Sequence, residues 1–215
     1  MELKLETEIL SKNNEQAAHN RQIFCEKNLL VLNIVGSPGA GKTSLLEAII
    51  KAMPEVKLGV IEGDLATAND AERIRALGTP VIQINTQGGC HLDAKMIASV
   101  LPVFDLNTLD VLIIENVGNL VCPCDFDLGE NKRILVLSTP EGADKPQKYP
   151  NAVLSSDAVI INKVDLLPYL KIDILKMVED INSIKNRVPV FLSSATEKDG
   201  IEAICKYIKE ARKCL

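Results

Sequence analysis

The chain has 215 residues, enough for one domain with a sizeable core, and its 47% hydrophobic and 25% charged residues are the balance of a soluble globular protein. A net charge of −5 argues against broad electrostatic binding to nucleic acid or anionic lipid. The start MELKLETEIL is acidic and broken by charge, unlike a signal peptide, and the apolar runs are too short to span a membrane; six cysteines are then expected in a reducing cytoplasm, free or metal-bound rather than in disulfides.

Residues 1–28 are polar with Leu3, Ile9, Leu10, Ala17, Ile23 and Phe24 at helix-like spacing, which predicts a helical extension of one or two amphipathic helices. From 29 to 215, short apolar runs alternate with longer helical patterns. Strands are expected at 29–35, 56–62, 80–85, 110–115, 133–139, 157–162 and 188–193. Helices are expected in KTSLLEAIIKAM (42–53), NDAERIRAL (69–77), LDAKMIASVL (92–101), LKIDILKMVEDINSI (170–184) and GIEAICKYIKEARKC (200–214). Strands this apolar are covered on both faces, so the pattern predicts a single α/β domain with a mostly parallel sheet wrapped by helices.

GSPGAGKT (36–43) follows the first strand and opens a helix, the context that the phosphate-binding G-x-x-x-x-G-K-[ST] loop requires. Gly36, Ser37, Pro38, Gly39, Ala40 and Gly41 would curl so that backbone N–H groups point at phosphate oxygens, helped by the helix start at Lys42, Thr43 and Ser44. Lys42 would reach the β- and γ-phosphates and the Thr43 hydroxyl would ligate Mg²⁺. An ordinary glycine-rich turn is the competing reading, and the Lys-Thr pair in that position disfavours it. Two acids after later strands, Asp64 and Glu115, are candidates for holding Mg²⁺ and acting at the γ-phosphate; each could instead be a solvated loop carboxylate. No glutamine stands where fast GTPases place one, so slow turnover is expected.

NKVD (162–165) ends another strand and resembles the guanine-recognition motif of GTPases. The Asp165 carboxylate can accept from guanine N1–H and its exocyclic amine, a donor pair that adenine lacks. Asn162 can brace the phosphate loop and the Lys163 stem can lie over the base. SSAT (193–196) follows the last strand, and Ser194 and Ala195 fit the small turn whose backbone touches guanine, although Ser-Ser-Ala also makes an ordinary turn.

The third group is soft. Cys90 and His91 precede the helical pattern at 92–101, and Cys122 and Cys124 lie in the loop after the next strand; both loops leave the carboxyl edge of the expected sheet, where open α/β folds bind ligands. A helix N-terminus would lower a thiol pKa there. Thiolate plus imidazole suits Ni²⁺ or Zn²⁺ and not Mg²⁺. The spacing is no zinc finger, and neighbouring residues on a rigid pair point apart, so a buried thiol beside a loop histidine is the rival reading.

GSPGAGKT, GD followed by NDAERI, CHLDA, ENVGNLVCP, DKPQKYP and NKVD, in that order, resemble the HypB family of hydrogenase nickel-incorporation GTPases, of the SIMIBI class of P-loop NTPases. The resemblance runs from about residue 19 to the C-terminus. It implies that Cys90, His91 and Cys122 are metal ligands meeting across a GTP-dependent homodimer. It also implies a second nickel chaperone and the large subunit of [NiFe]-hydrogenase as partners, with no nucleic acid or membrane. Cys124 departs from the commoner sequence, as an added ligand or a spectator. The N-terminal cysteine motif or histidine run of many bacterial members is absent from this sequence. Alternatives are a urease-accessory GTPase, whose motif is Cys-Pro-His, a small-molecule P-loop kinase, and a non-enzymatic metal buffer.

Overall fold

The computed structural model describes residues 2–64 and 69–215, with side chains at 8–63 and 70–215. Seven strands among the described residues form one sheet: β1 (Leu30–Gly36), β2 (Leu58–Asp64), β3 (Val81–Asn85), β4 (Val111–Glu115), β5 (Lys132–Ser138), β6 (Ala158–Asn162) and β7 (Val190–Leu192). Their order is β3-β2-β4-β1-β5-β6-β7, and every pairing is parallel. The first strand therefore lies between β4 and β5, and chain segments leave it and its neighbours at a shared carboxyl edge.

The pleat sends alternate residues to opposite faces. Leu30, Leu32 and Ile34 of β1 join one core with Leu45 and Leu46 of α2 (Lys42–Ala52), Ile74 of α3 (Asn69–Arg75), and Ile204 and Ile208 of α9 (Ile201–Lys213). On the other face Val31, Ile61, Leu112 and Ile114 meet Phe24 of α1 (Glu2–Glu26) and Ile97 of α4 (Ala94–Val100). Further along that face Leu135, Leu137, Val159 and Ile161 meet Val153 of α7 (Pro150–Leu154) and Met177 and Ile181 of α8 (Ile174–Ile184). Two one-turn helices, α5 (Cys122–Asp125) and α6 (Lys145–Lys148), complete the set. No helix among the described residues is long and apolar enough to cross a membrane.

Several boundaries differ from expectation for local reasons. Helix α4 starts at Ala94 rather than Leu92 because Asp93 caps it, accepting from Met96 N–H at 2.7 Å. Asp173 likewise caps α8, accepting from Lys176 N–H at 3.0 Å, so 170–173 is not helical. The first helix is a single rod, and its seated stripe is Asn13, Ala17, Asn20 and Phe24. Ile9, expected inside, is 51% exposed, and the side chain of Leu3 lies outside the described residues.

Candidate functional site

The glycine loop leaves β1 and runs into α2. Leu45 N–H makes the first helical bond, to Gly41 O at 2.9 Å, so the amides of Lys42, Thr43 and Ser44 have no partner inside the helix. They border a cavity of about 450 Å³ that is also lined by Pro38, Gly39, Glu62, Glu115, Val117, Gly118 and Lys163. Gly41 takes φ 87°, and a Cβ there would stand 2.6 Å from Asn162 Nδ2, so both backbone shape and space demand glycine. Lys42 is buried and bends back over the loop, donating to Gly36 O and Ser37 O at 3.4 and 3.3 Å.

The NKVD and SSAT segments meet at the glycine loop. Asn162 Nδ2 donates to Ala40 O at 3.1 Å, while its Oδ1 accepts from Ser193 Oγ and from Ala195 N–H, both at 3.3 Å. One amide thus ties the phosphate loop to the Ser194–Ala195 turn. Lys163, in the left-handed region at φ 62°, lays its stem over the loop and donates to Gly39 O at 2.6 Å. Asp165 follows, half-buried, in a short 3-10 turn.

Thr43 Oγ1 donates to Glu115 Oε1 at 2.9 Å, which puts the expected hydroxyl and the expected acid together. Asp64 closes β2 with its backbone, but its side chain lies outside the described residues. Glu62, which the sequence reading passed over, is paired in register with Glu115 across β2 and β4 and is equally buried. Burial, and then the Glu115 carboxylate beside it, push Glu62 up to about 10; Glu115 is also raised by burial, against the pull of Lys42. Both shifts favour the protonated form of these carboxyls, Glu62 above all. Glu62 Oε2 and Glu115 Oε2 are buried without a hydrogen-bond partner. Unpartnered carboxylate oxygens beside a threonine hydroxyl and a phosphate-sized cavity fit a hard divalent cation such as Mg²⁺. Arg73 and Asp70 of α3 also line the cavity; the guanidinium bonds Glu47 at 2.7 Å and Ser44 Oγ at 3.2 Å.

Next to this cavity, ligand atoms of Cys90, His91 and Cys122 all lie within 4.8 Å of one another in one chain. The expected awkwardness of an adjacent Cys-His pair does not arise, because residues 90 and 91 bend before α4 begins, and Cys90 Sγ is 3.5 Å from His91 Nδ1. His91 stacks on Phe126, with ring centroids 3.8 Å apart. Burial lowers its pKa, against Asp93 and Asp125, leaving a neutral imidazole to ligate. The lowered thiol pKa expected at Cys90 is not found: a hydrogen bond with Cys122 and burial raise it, and Asp93, not the thiol, occupies the helix cap. Two thiols and an imidazole form a soft donor set, suited to Ni²⁺ or Zn²⁺. Cys124 points the other way, into the core, donating to Leu120 O at 3.4 Å.

Residues 30–192 match the family model of the CobW/HypB/UreG nucleotide-binding domain. The hydrogenase maturation factor HypB of Escherichia coli is 47% identical over 98% of this chain and 73% of its own. This chain belongs to the HypB family. The hydrogenase/urease maturation factor HypB of Helicobacter hepaticus is 40% identical, over 98% of this chain and 88% of its own. Among solved structures, HypB from Helicobacter pylori in complex with nickel superposes with a TM-score of 0.90 at 39% identity, covering 94% of this chain and 95% of that one. This chain thus carries a nucleotide-binding domain of the P-loop type, with a Cys/His cluster beside it.

Proposed function

We propose that this HypB homologue is a GTP-hydrolysing metallochaperone of the cytoplasm that assists nickel insertion into the large subunit of [NiFe]-hydrogenase. In this reading residues 29–215 are the GTPase unit and 1–28 a helical extension docked on it. Lys42 and the amides of 36–44 hold the phosphates. Thr43, Asp64, Glu115 and, added from the geometry, Glu62 hold Mg²⁺ and act at the γ-phosphate. Asn162, Lys163, Asp165, Ser194 and Ala195 recognise guanine. Cys90, His91 and Cys122 hold Ni²⁺, or Zn²⁺ in its place, as cargo, in a site completed across a homodimer that forms with GTP. A second nickel chaperone exchanges metal with it, and turnover is slow.

The observation that carries the reading is the placement of the soft-donor trio on loops adjoining the phosphate cavity. Val117 and Gly118 line that cavity, and the same loop runs on to Cys122. The bracing of the glycine loop by Asn162 supports a nucleotide rather than a metal buffer alone. The test is metal content, metal stoichiometry and particle mass of the purified protein with GDP and with a non-hydrolysable GTP analogue. Metal bound at the trio, with mass doubling in the GTP-analogue state, is expected. Equal affinity for ATP and GTP would sink the GTPase assignment and favour a kinase, and metal binding indifferent to nucleotide would favour a buffer.

A further inference from the structure

The segment between the two sites is held in an unusual way. Asn116, 1% exposed, accepts on one Oδ1 from two backbone N–H groups: Val117 at 2.9 Å, on the cavity wall, and Leu92 at 3.2 Å, next to His91. Its Nδ2 donates to the buried Asn33 of β1 at 3.2 Å, which fixes the amide plane. Asn119 does the complementary work. Its Nδ2 donates to Cys90 O at 3.4 Å, its Oδ1 accepts from Val121 N–H at 2.9 Å, next to Cys122, and its own N–H donates to Gly36 O at 3.0 Å. Between them Gly118 passes so close to the phosphate loop that a Cβ would sit 2.9 Å from Pro38 Cα.

Cys90 and His91 are therefore each flanked by a peptide group bonded to one of these two side chains, and Cys122 follows a residue whose N–H is so bonded; the Asn116 side chain reaches the cavity wall through Val117, and Asn119 reaches the glycine loop through its own backbone N–H. We infer that Asn116 and Asn119 are positioning residues that couple the occupancy of the phosphate cavity to the geometry of the Cys90–His91–Cys122 site. A carboxamide suits the role because it offers acceptor and donors on one rigid plane. A displacement of Val117–Gly118 rotates Asn116 against Leu92 and drags Asn119 from Cys90 or from Val121, so ligand spacing cannot stay fixed while the cavity wall moves. Coupling through such a network is demonstrated only by measuring it.

The inference rests on the proposed nucleotide and metal sites, and the experiment separates the two. Ni²⁺ is titrated into wild type, Asn119→Ala and Asn116→Ala, each with GDP and with a non-hydrolysable GTP analogue, following the thiolate-to-nickel absorption. The ratio of the two nickel dissociation constants is the coupling factor, roughly 5- to 150-fold in coupled proteins. Asn119 is half-exposed and outside the three cores, so its variant keeps the fold. It is expected to bind nickel with GDP, and nucleotide without nickel, within about threefold of wild type while its coupling factor falls below about threefold. Asn116→Ala is checked by thermal melting first; where it folds, the same collapse is expected. Wild-type coupling persisting in Asn119→Ala would overturn the inference, as would loss of nickel binding by that variant in both nucleotide states. Wild type without coupling would instead refute the nucleotide-linked function itself.

Discussion

Glu62 and Glu115 stand side by side because β2 and β4 run parallel with those residues in register, and both are 3% exposed. With Glu62 pushed up to about 10, the folded, ligand-free protein keeps a proton there at neutral pH, whereas an unfolded chain with the ordinary carboxyl value of 4.5 has lost it. Between those limits the folded state binds more protons than the unfolded one, so stability falls as pH rises. The cost is at most about 1.4 kcal/mol for each pH unit above 4.5, hence a ceiling of roughly 3.4 kcal/mol at pH 7. Glu62→Gln keeps the shape and an N–H donor toward Glu115 but has no proton to lose. It is expected to raise stability at pH 7 by about 1–3 kcal/mol, or roughly 3–10 °C in melting temperature for a chain this long. The gain should vanish near pH 4.5 and grow toward pH 9. Thermal unfolding of nucleotide-free, metal-free protein at several pH values measures it. A variant that melts below wild type throughout, or by a pH-independent difference, would refute a raised Glu62.

Lys42→Ala should abolish tight nucleotide binding, read by equilibrium titration, while retaining the fold, since among the described residues the ammonium hydrogen-bonds Gly36 O and Ser37 O of the loop it serves. Asp165→Asn should cost GTP about 1.5–3 kcal/mol, roughly tenfold to over a hundredfold in affinity, and favour xanthosine triphosphate, in competition binding. Cys122→Ala should remove most Ni²⁺ or Zn²⁺ by direct metal analysis. Cys124→Ala should keep the metal but lower thermal stability by about 1 kcal/mol, because that thiol fills core space.

What could be read from the sequence was local. Each strand is a mostly apolar run between polar turns, so its position is visible within a residue or two. The glycine loop, NKVD and the Cys-His pair are each carried by neighbouring residues. Glu62 was not visible, because what distinguishes it from any other glutamate is a register between strands separated by the whole of α3, β3 and α4. The short helices α5, α6 and α7 escaped for another reason. Each is about one turn long with proline in its first positions, too short for a 3.6-residue period to appear.

The first helix is where the sequence places it, with Ala17 and Phe24 buried, but half of its docking is polar. Hydropathy selected Ile9 and its neighbours, but Asn13 and Asn20 do the seating. Asn13 Nδ2 donates to Asp127 O at 2.8 Å and its Oδ1 accepts from Ala94 N–H at 2.9 Å; Asn20, fully buried, donates to Ala94 O at 2.8 Å and to Leu128 O at 3.0 Å. An apolar stripe alone would let a long helix slide by a turn at small cost, whereas a buried amide that loses its partners incurs about 1–3 kcal/mol of desolvation penalty. The bonded groups lie at the start of α4, just beyond His91, and in the loop just beyond Phe126, the ring that stacks on His91. The two loops that bring the soft donors together come from different strands, β3 and β4, which lie on either side of β2 and are not paired with each other. With each asparagine bonding both of them, α1 sets that separation from one side, as Asn116 and Asn119 set it from the nucleotide side.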